Sequence, residues 1–114
     1  MPQGREEATA ECQREAPDGV QFPCLTEVYD QLGHKAEADV ALKTAMLDHG
    51  DGEAFWIAAA LANRRQDTLA FEWLDRAYRQ KEPFVGFIKS ELEFDHLKSD
   101  LRYKAFLERM HLPE

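Results

Sequence analysis

Residues Ala54 to Pro83 read AFWIAAALANRRQDTLAFEWLDRAYRQKEP, and this stretch decides the fold. The spacing of its apolar residues predicts two helices, at roughly 54–64 and 68–80, joined by a polar turn in which Asp67 caps the second helix. The apolar face of the second helix is formed by Ala70, Leu74, Ala77 and Tyr78, widened by Phe71 and Trp73. A helix that is apolar over so wide an arc needs cover from more than one side, so we expect further helices to pack on this hairpin.

Length and charge limit the class of protein. A chain of 114 residues that is 44% hydrophobic is expected to form one folded domain with a modest core. Its formal net charge of -8 repels phosphate backbones and anionic lipids, which excludes nucleic acid and membrane surfaces as primary partners. No apolar run reaches membrane-spanning length and no signal peptide opens the chain, so we predict a cytoplasmic protein.

The sequence contains two cysteines, Cys12 and Cys24. Their spacing does not match the close cysteine pairs of metal sites. A disulfide and two thiols are both compatible with such a pair, and we predict reduced thiols because a chain of this size carries only two.

The periodicity divides the single domain, residues 1–114, into sections. These are a disordered start at 1–4, a half repeat at 5–16, one repeat at 22–48, a second repeat at 54–81 and C-terminal capping helices at 84–111. Within the first repeat we expect one helix up to Leu32, Gly33 with positive φ as its C-terminal cap, and a second helix from Lys35 to Asp48. No strand is expected anywhere.

An internal repeat relates the two predicted hairpins. Matching residues are 32 apart (57 − 25 for the first pair), and the pairs are Leu25/Ile57, Tyr29/Leu61, Ala38/Ala70, Leu42/Leu74 and Ala45/Ala77. Alanines recur where two helices must approach closely, and larger side chains recur where a gap must be filled. The unpaired half repeat at 5–16 is what we expect of a chain that is cut from, or descends from, a longer array.

This pattern resembles the tetratricopeptide repeat. The resemblance implies an all-α fold in which antiparallel helix hairpins stack as a short right-handed superhelix of about six or seven helices. Residues 70–78 and 94–103, with the ending Leu112-Pro113, are similar to the closing repeats of tetratricopeptide regions behind bacterial signalling modules, such as winged-helix regulators, nucleotide cyclases and Ser/Thr kinases. Those tails usually carry proline where this chain has His96 and Leu101.

The resemblance also implies a protein-binding groove, because the first helix of each tetratricopeptide hairpin lines a concave surface. Carried over to this chain, the groove residues are Glu27, Asp30, Gln31, Phe55, Ala59, Ala62 and Asn63. Chaperone-binding members grip a carboxylate with Lys, Arg and Asn, and only Asn63 matches here. Glu27 and Asp30 instead favour a basic or apolar peptide or protein segment, unless they are ordinary solvated charges.

Trp56 lies just off the shared face of its helix, which is formed by Ile57, Ala58 and Leu61. It is either a contact with another chain, as aromatic residues at interfaces often are, or a cover for the edge of the preceding helix. A homo-oligomerising or structural module is the alternative to a peptide-binding scaffold. In that alternative the open first layer, residues 5–15, packs on another copy and forms a homodimer.

No residues suggest an enzyme, a metal or a cofactor. The four histidines are His34, His49, His96 and His111, and we place all of them at turns or helix ends without a nearby acid at ligand spacing. The loop at 48–53 lacks the alternating carboxylates of a calcium loop. No nucleophile, base and orienting group can be assembled, so we predict a protein without catalytic activity.

Overall fold

The fold is all-helical, as predicted. The computed structural model describes Cys12, residues 21–48 and residues 50–110, and no strand occurs in these ranges. The α-helices are α1 (Gln21–Gln31), α2 (Lys35–Asp48), α3 (Ala54–Asn63), α4 (Asp67–Arg79) and α5 (Leu101–Arg109), and two 3₁₀ helices, η1 (Pro83–Phe87) and η2 (Leu92–Leu97), lie between α4 and α5. The predicted start at 1–4, and the half repeat at 5–16 except Cys12, lie outside the described residues.

Helices α1 to α4 form two consecutive hairpins, since α1 packs on α2 and α3 packs on α4. The second helix starts at Lys35 in the first hairpin and at Asp67 in the second hairpin, so the two starts are 32 residues apart (67 − 35). Ala38 and Ala70, which are equivalent at this offset, are both fully buried, with 0% of their surface exposed. Small side chains therefore stand at the close helix contacts where the sequence predicts them.

The first helix of each hairpin ends in the same backbone geometry. Gly33 has φ of 78° and Arg65, 32 residues later, has φ of 63°. In each case the following amide donates to the carbonyl five residues earlier, at 2.8 Å after Gly33 and 3.0 Å after Arg65. This bond is part of the Schellman motif, which satisfies the last carbonyls of a helix. The predicted positive φ at Gly33 is confirmed.

Helix α3 is the centre of the core. All its residues from Ala54 to Ala62 are buried except Trp56, and it contacts α1, α2, α4 and η2. The aromatic and aliphatic side chains that pack around it include Leu74, Phe94 and Phe106. The prediction that further helices pack on this hairpin is confirmed, since α1, α2 and η2 all contact α3.

One predicted helix cap differs from the structure. Gln66 occupies the N-cap position of α4, so Asp67 is not the cap; it is the first helical residue, and its carboxylate accepts a hydrogen bond from His96. The last helix begins at Leu101, because Asp100 is its N-cap and accepts the amide of Arg102 at 2.8 Å. An N-cap that bonds the second helical amide fixes the start of a helix.

Cys12 and Cys24 form a disulfide, so the prediction of reduced thiols is wrong. Their Cα atoms are 5.7 Å apart. Cys12 is fully buried in a small apolar cluster with Leu25, Tyr29, Ala38 and Ala41, so packing on the first hairpin brings the two sulfurs together. The linear spacing of 12 residues contains no information about that contact.

The described helices are short. The longest, α2, has 14 residues, whereas spanning a bilayer takes about 20. Within the described ranges, no helix combines the length and the apolar character needed to cross a membrane.

Candidate functional site

Three of the predicted groove residues form a face of α3 that we call the α3 wall: Phe55, Ala59 and Ala62. All three are fully buried, with 0% of their surface exposed, so a peptide cannot reach them in this conformation. The 3₁₀ helix η2 packs on α3, and the ring of Phe94 lies 5.5 Å from the ring of Phe55. The chain's own residues therefore cover the wall that was expected to face a partner.

The other four predicted groove residues remain at least partly accessible. They are Glu27, Asp30, Gln31 and Asn63, and we call this surface the α1–α3 rim. Gln31 is exposed and the other three are half-buried. The rim joins the C-terminal half of α1 to the last residue of α3, and the two helices are in contact. A partner that approaches the predicted groove would meet this rim first.

Arg64, which follows α3 in the second hairpin, forms ion pairs with two residues of the first hairpin. Its Nε lies 3.0 Å from the carboxylate of Asp30 on α1, and it donates a hydrogen bond to Asp39 on α2. Burial raises the pKa of Asp30, and the nearby Arg64 guanidinium opposes that rise. The hydrogen bond from Arg64 holds the pKa of Asp39 below its usual value. Asp30 is thus part of a contact between hairpins, a role that sequence spacing did not indicate.

Glu27 on α1 lies near two carboxylates of the η2 segment, Glu91 just before η2 and Glu93 within it. Burial, a hydrogen bond with Glu93, and the negative charges of Glu93, Glu91 and Asp30 raise the pKa of Glu27 to about 9. At neutral pH Glu27 is therefore protonated and can donate a hydrogen bond to Glu93. A protonated Glu27 lacks the negative charge expected of it, and its hydrogen bond with Glu93 would join α1 to the η2 segment.

Two histidines have acidic partners, contrary to expectation. His34 Nδ1 lies 2.8 Å from Glu37, and His96 Nε2 lies 2.8 Å from Asp67. Arg65 can only donate, so His96 Nδ1, 2.7 Å from the Arg65 guanidinium, accepts, and Nε2 carries the proton shared with Asp67. His49 and His111 lie outside the described residues.

These contacts join separate elements of the fold. His96 connects η2 to the start of α4, because its ring bonds Asp67 on one side and Arg65 on the other. In the part of the chain that the structure describes, no group of three or more His, Cys, Asp or Glu residues is placed to hold a metal ion.

Trp56 is half-buried and packs against the main core. Its ring meets the ring of Phe55 edge to face, with 5.0 Å between centroids. Part of the indole remains accessible, so the two roles considered for Trp56, helix cover and contact with another chain, are compatible with its position. The interface role stays a prediction.

Comparison of the chain with protein-family models, with curated proteins and with solved structures found no match. Within the described residues, the two hairpins share a 32-residue offset (67 − 35), matching helix ends and buried alanines.

Proposed function

We propose that this protein is a non-catalytic interaction scaffold of the tetratricopeptide type, which binds a segment of another protein or a peptide. The observation that carries the proposal is the repetition of one hairpin design, with Ala38 matched by Ala70 and Gly33 matched by Arg65 in position and backbone geometry. Stacked helix hairpins create extended surfaces for binding and need no chemistry of their own.

The α1–α3 rim is the surface that we assign to the partner. The α3 wall is covered by η2, whereas Gln31 is exposed and Asn63 is half-buried. Leu32, at the same end of α1, is 43% exposed and offers an apolar contact. A basic side chain placed beside Glu27 and Glu93 would displace the proton between them and gain their negative charge. We therefore propose a partner segment with both basic and apolar residues.

The test is capture of proteins from lysate of the source cell by three immobilised forms of the chain. In the first variant, Gln31→Arg and Asn63→Arg change the rim without breaking the ion pair between Asp30 and Arg64. The control is Lys43→Glu, an exposed position on α2. Wild type and control should capture the same proteins, identified by mass spectrometry, and the rim variant should lose them. Equal capture by all three folded forms would contradict the proposal.

A second candidate function, homo-oligomerisation, is supported by the outer face of α2. Val40 is 67% exposed and Leu47, seven residues later on the same side, is 73% exposed. Val40 also lines a shallow depression of about 410 Å³, together with Leu25, Tyr29, Ala36, Glu37, Ala41 and Thr44. Light scattering should show a dimer that Val40→Lys with Leu47→Lys reduces to a monomer. A monomeric mass for the wild type at all concentrations would contradict this candidate.

The cellular setting that we propose also changes from the first expectation. The resemblance to repeats behind bacterial signalling modules suggests a bacterial protein that acts in such an assembly. Disulfides persist in oxidising compartments, so the bond between Cys12 and Cys24 favours a compartment other than the reducing cytoplasm. Alkylation of intact cells before lysis tests this: the two cysteines should be protected until a reductant is added, and prompt labelling would support the cytoplasm.

A further inference from the structure

The disulfide between Cys12 and Cys24 closes a small apolar cluster that is separate from the main core. Besides Cys12, the buried members of this cluster lie on α1 or α2, and they are Leu25, Tyr29, Ala38 and Ala41. Among the described residues, the small cluster and the main core have no buried residue in common. The small cluster can therefore open while the main core around α3 stays packed.

One edge of the small cluster lies beside open space. Leu25, Tyr29 and Ala41 belong to the cluster, and they also line the shallow depression of about 410 Å³ that Val40 lines. Cys12 is fully buried in the same cluster, with 0% of its surface exposed. Departure of Cys12 would therefore join the cluster and the depression into one larger apolar face.

The second hairpin closes the equivalent face in a different way. At the 32-residue offset (57 − 25, 61 − 29, 70 − 38), Leu25, Tyr29 and Ala38 correspond to Ile57, Leu61 and Ala70, which are all fully buried in the main core. The first hairpin contributes to that cover, because α1 and α2 both contact α3. On the first hairpin, by contrast, the cover includes a side chain held by a bond that a reductant can break.

We propose that this disulfide is a redox switch, whose reduction releases Cys12 and opens the apolar face of the first hairpin. A dithiol reductant supplies the two electrons. Its thiolate attacks the sulfur of the half-buried Cys24 rather than that of the fully buried Cys12. The bond between the two cysteine sulfurs breaks, and Cys12 leaves as a thiolate that takes up a proton. The second thiol of the reductant then displaces Cys24, so both cysteines end as thiols and the reductant ends as a disulfide.

Reduction changes what holds Cys12 in place. Without the bond, Cys12 keeps only non-covalent contacts with the cluster. A free cysteine behaves as a small hydrophobic residue, so its burial contributes little, whereas holding its backbone in one conformation costs entropy. The disulfide lowers that cost by restricting the unfolded chain, and reduction restores it. Oxidising surroundings therefore keep the face closed, and reducing surroundings open it.

Nile red, a dye that fluoresces on apolar surfaces, tests the switch on the full chain, and its neutrality avoids repulsion by the net charge of -8. Reduction with dithiothreitol should raise the fluorescence by about threefold or more while the helical circular dichroism is retained, and oxidised glutathione should reverse the rise. No rise would overturn the proposal, because the face would then stay closed without the bond. A rise with loss of the helical signal would also overturn it, since the whole fold would have opened.

Variants locate the face that opens. Cys12→Ser with Cys24→Ser should bind the dye as reduced wild type does, with or without dithiothreitol, and low binding by this folded variant would contradict the switch. Val40→Lys, beside the opened face, should lower the reduction-dependent signal by about half. The matched control is Leu69→Lys, at a 42% exposed position on α4, which should leave that signal unchanged.

Equal signals in the two lysine variants would contradict the assigned face. These measurements do not involve the α1–α3 rim, so failure of the switch would leave the scaffold proposal untouched.

Discussion

Helices α1 and α3 occupy equivalent places in the two hairpins, yet α3 is covered far more completely than α1. On α3 the ring of Phe94 packs 5.5 Å from Phe55, and every residue from Ala54 to Ala62 except Trp56 is buried. On α1 the η2 segment contributes a carboxyl contact, between Glu93 and Glu27. Repeated backbone geometry therefore does not give repeated accessible surfaces, because the segment that follows the two hairpins packs on one of the two helices.

The largest expected effect follows from that cover. Phe94→Ala removes a fully buried ring from the contact with α3, and it should lower the free energy of unfolding by about 3–5 kcal/mol. Phe87, which is 52% exposed, is the matched control, and Phe87→Ala should cost less than about 1 kcal/mol. Urea denaturation measures both. Similar losses in the two variants would mean that η2 is not the cover of α3.

The first hairpin is held by a covalent bond that the second lacks in the described residues, and its removal is the next largest effect. Cys12→Ser with Cys24→Ser should lower the free energy of unfolding by about 2–4 kcal/mol. Hydrogen exchange should show faster opening of α1 and α2, with little change in α4. The control is dithiothreitol, which should destabilise the wild type and leave the double variant unchanged. No response of the wild type to reduction would contradict the disulfide.

Glu27 makes the contact between α1 and the η2 segment depend on pH. Its folded pKa of about 9 lies above the ordinary value of 4.5, so the folded state binds the extra proton and stability falls as pH rises from about 4.5 to 9. The Glu27→Gln side chain still donates a hydrogen bond to Glu93, and it does so without binding a titratable proton. It should stabilise by about 1–3 kcal/mol at pH 9 and change little at pH 4.

Urea denaturation at both pH values checks this, with Glu72→Gln as the control because Glu72 is exposed on α4. The control should change stability equally little at both values. A Glu27→Gln variant whose effect is the same at pH 4 and pH 9 would show that the Glu27 carboxyl is ionised in the folded protein.

The smallest effect concerns the matching helix ends. A Cβ built on Gly33 meets no atom within 4 Å, so Gly33→Ala should cost about 1–2 kcal/mol through its positive φ alone. Gly86, also with open space around its Cβ but without positive φ, is the control, and Gly86→Ala should be neutral or slightly stabilising. Thermal unfolding distinguishes the two. Equal melting temperatures would contradict the shared end geometry at Gly33.

The sequence predicts the periodic helices of the two hairpins, but it does not predict the long-range contacts that cover α3. The helix at Lys35–Asp48 was predicted at its observed bounds, because its apolar residues recur over nearly four turns and a loop with two glycines follows. The 3₁₀ helix η2 is too short to leave a periodic pattern. Its packing on α3 is a long-range contact, and so are the disulfide and the bond between Glu27 and Glu93.

The predicted groove residues on α3 are buried for this reason. Residues of α1 and α3 follow the same pattern, and nothing in the linear spacing indicates that Phe94, far along the chain, would fill the space beside Phe55. The sequence does not predict the backbone geometry of Arg65 either. Arg65 has positive φ, as Gly33 does at the equivalent position, and its side chain forms a hydrogen bond with His96. Non-glycine residues in this conformation are uncommon, so sequence alone does not predict them.

The most direct test of the central claim is a nuclear Overhauser spectrum of the wild-type protein with selectively labelled phenylalanine rings. If η2 closes the α3 wall, cross-peaks connect the rings of Phe55 and Phe94, whose centroids are 5.5 Å apart. If those cross-peaks are absent while the Phe55 ring contacts water, the wall is open and a partner could bind there.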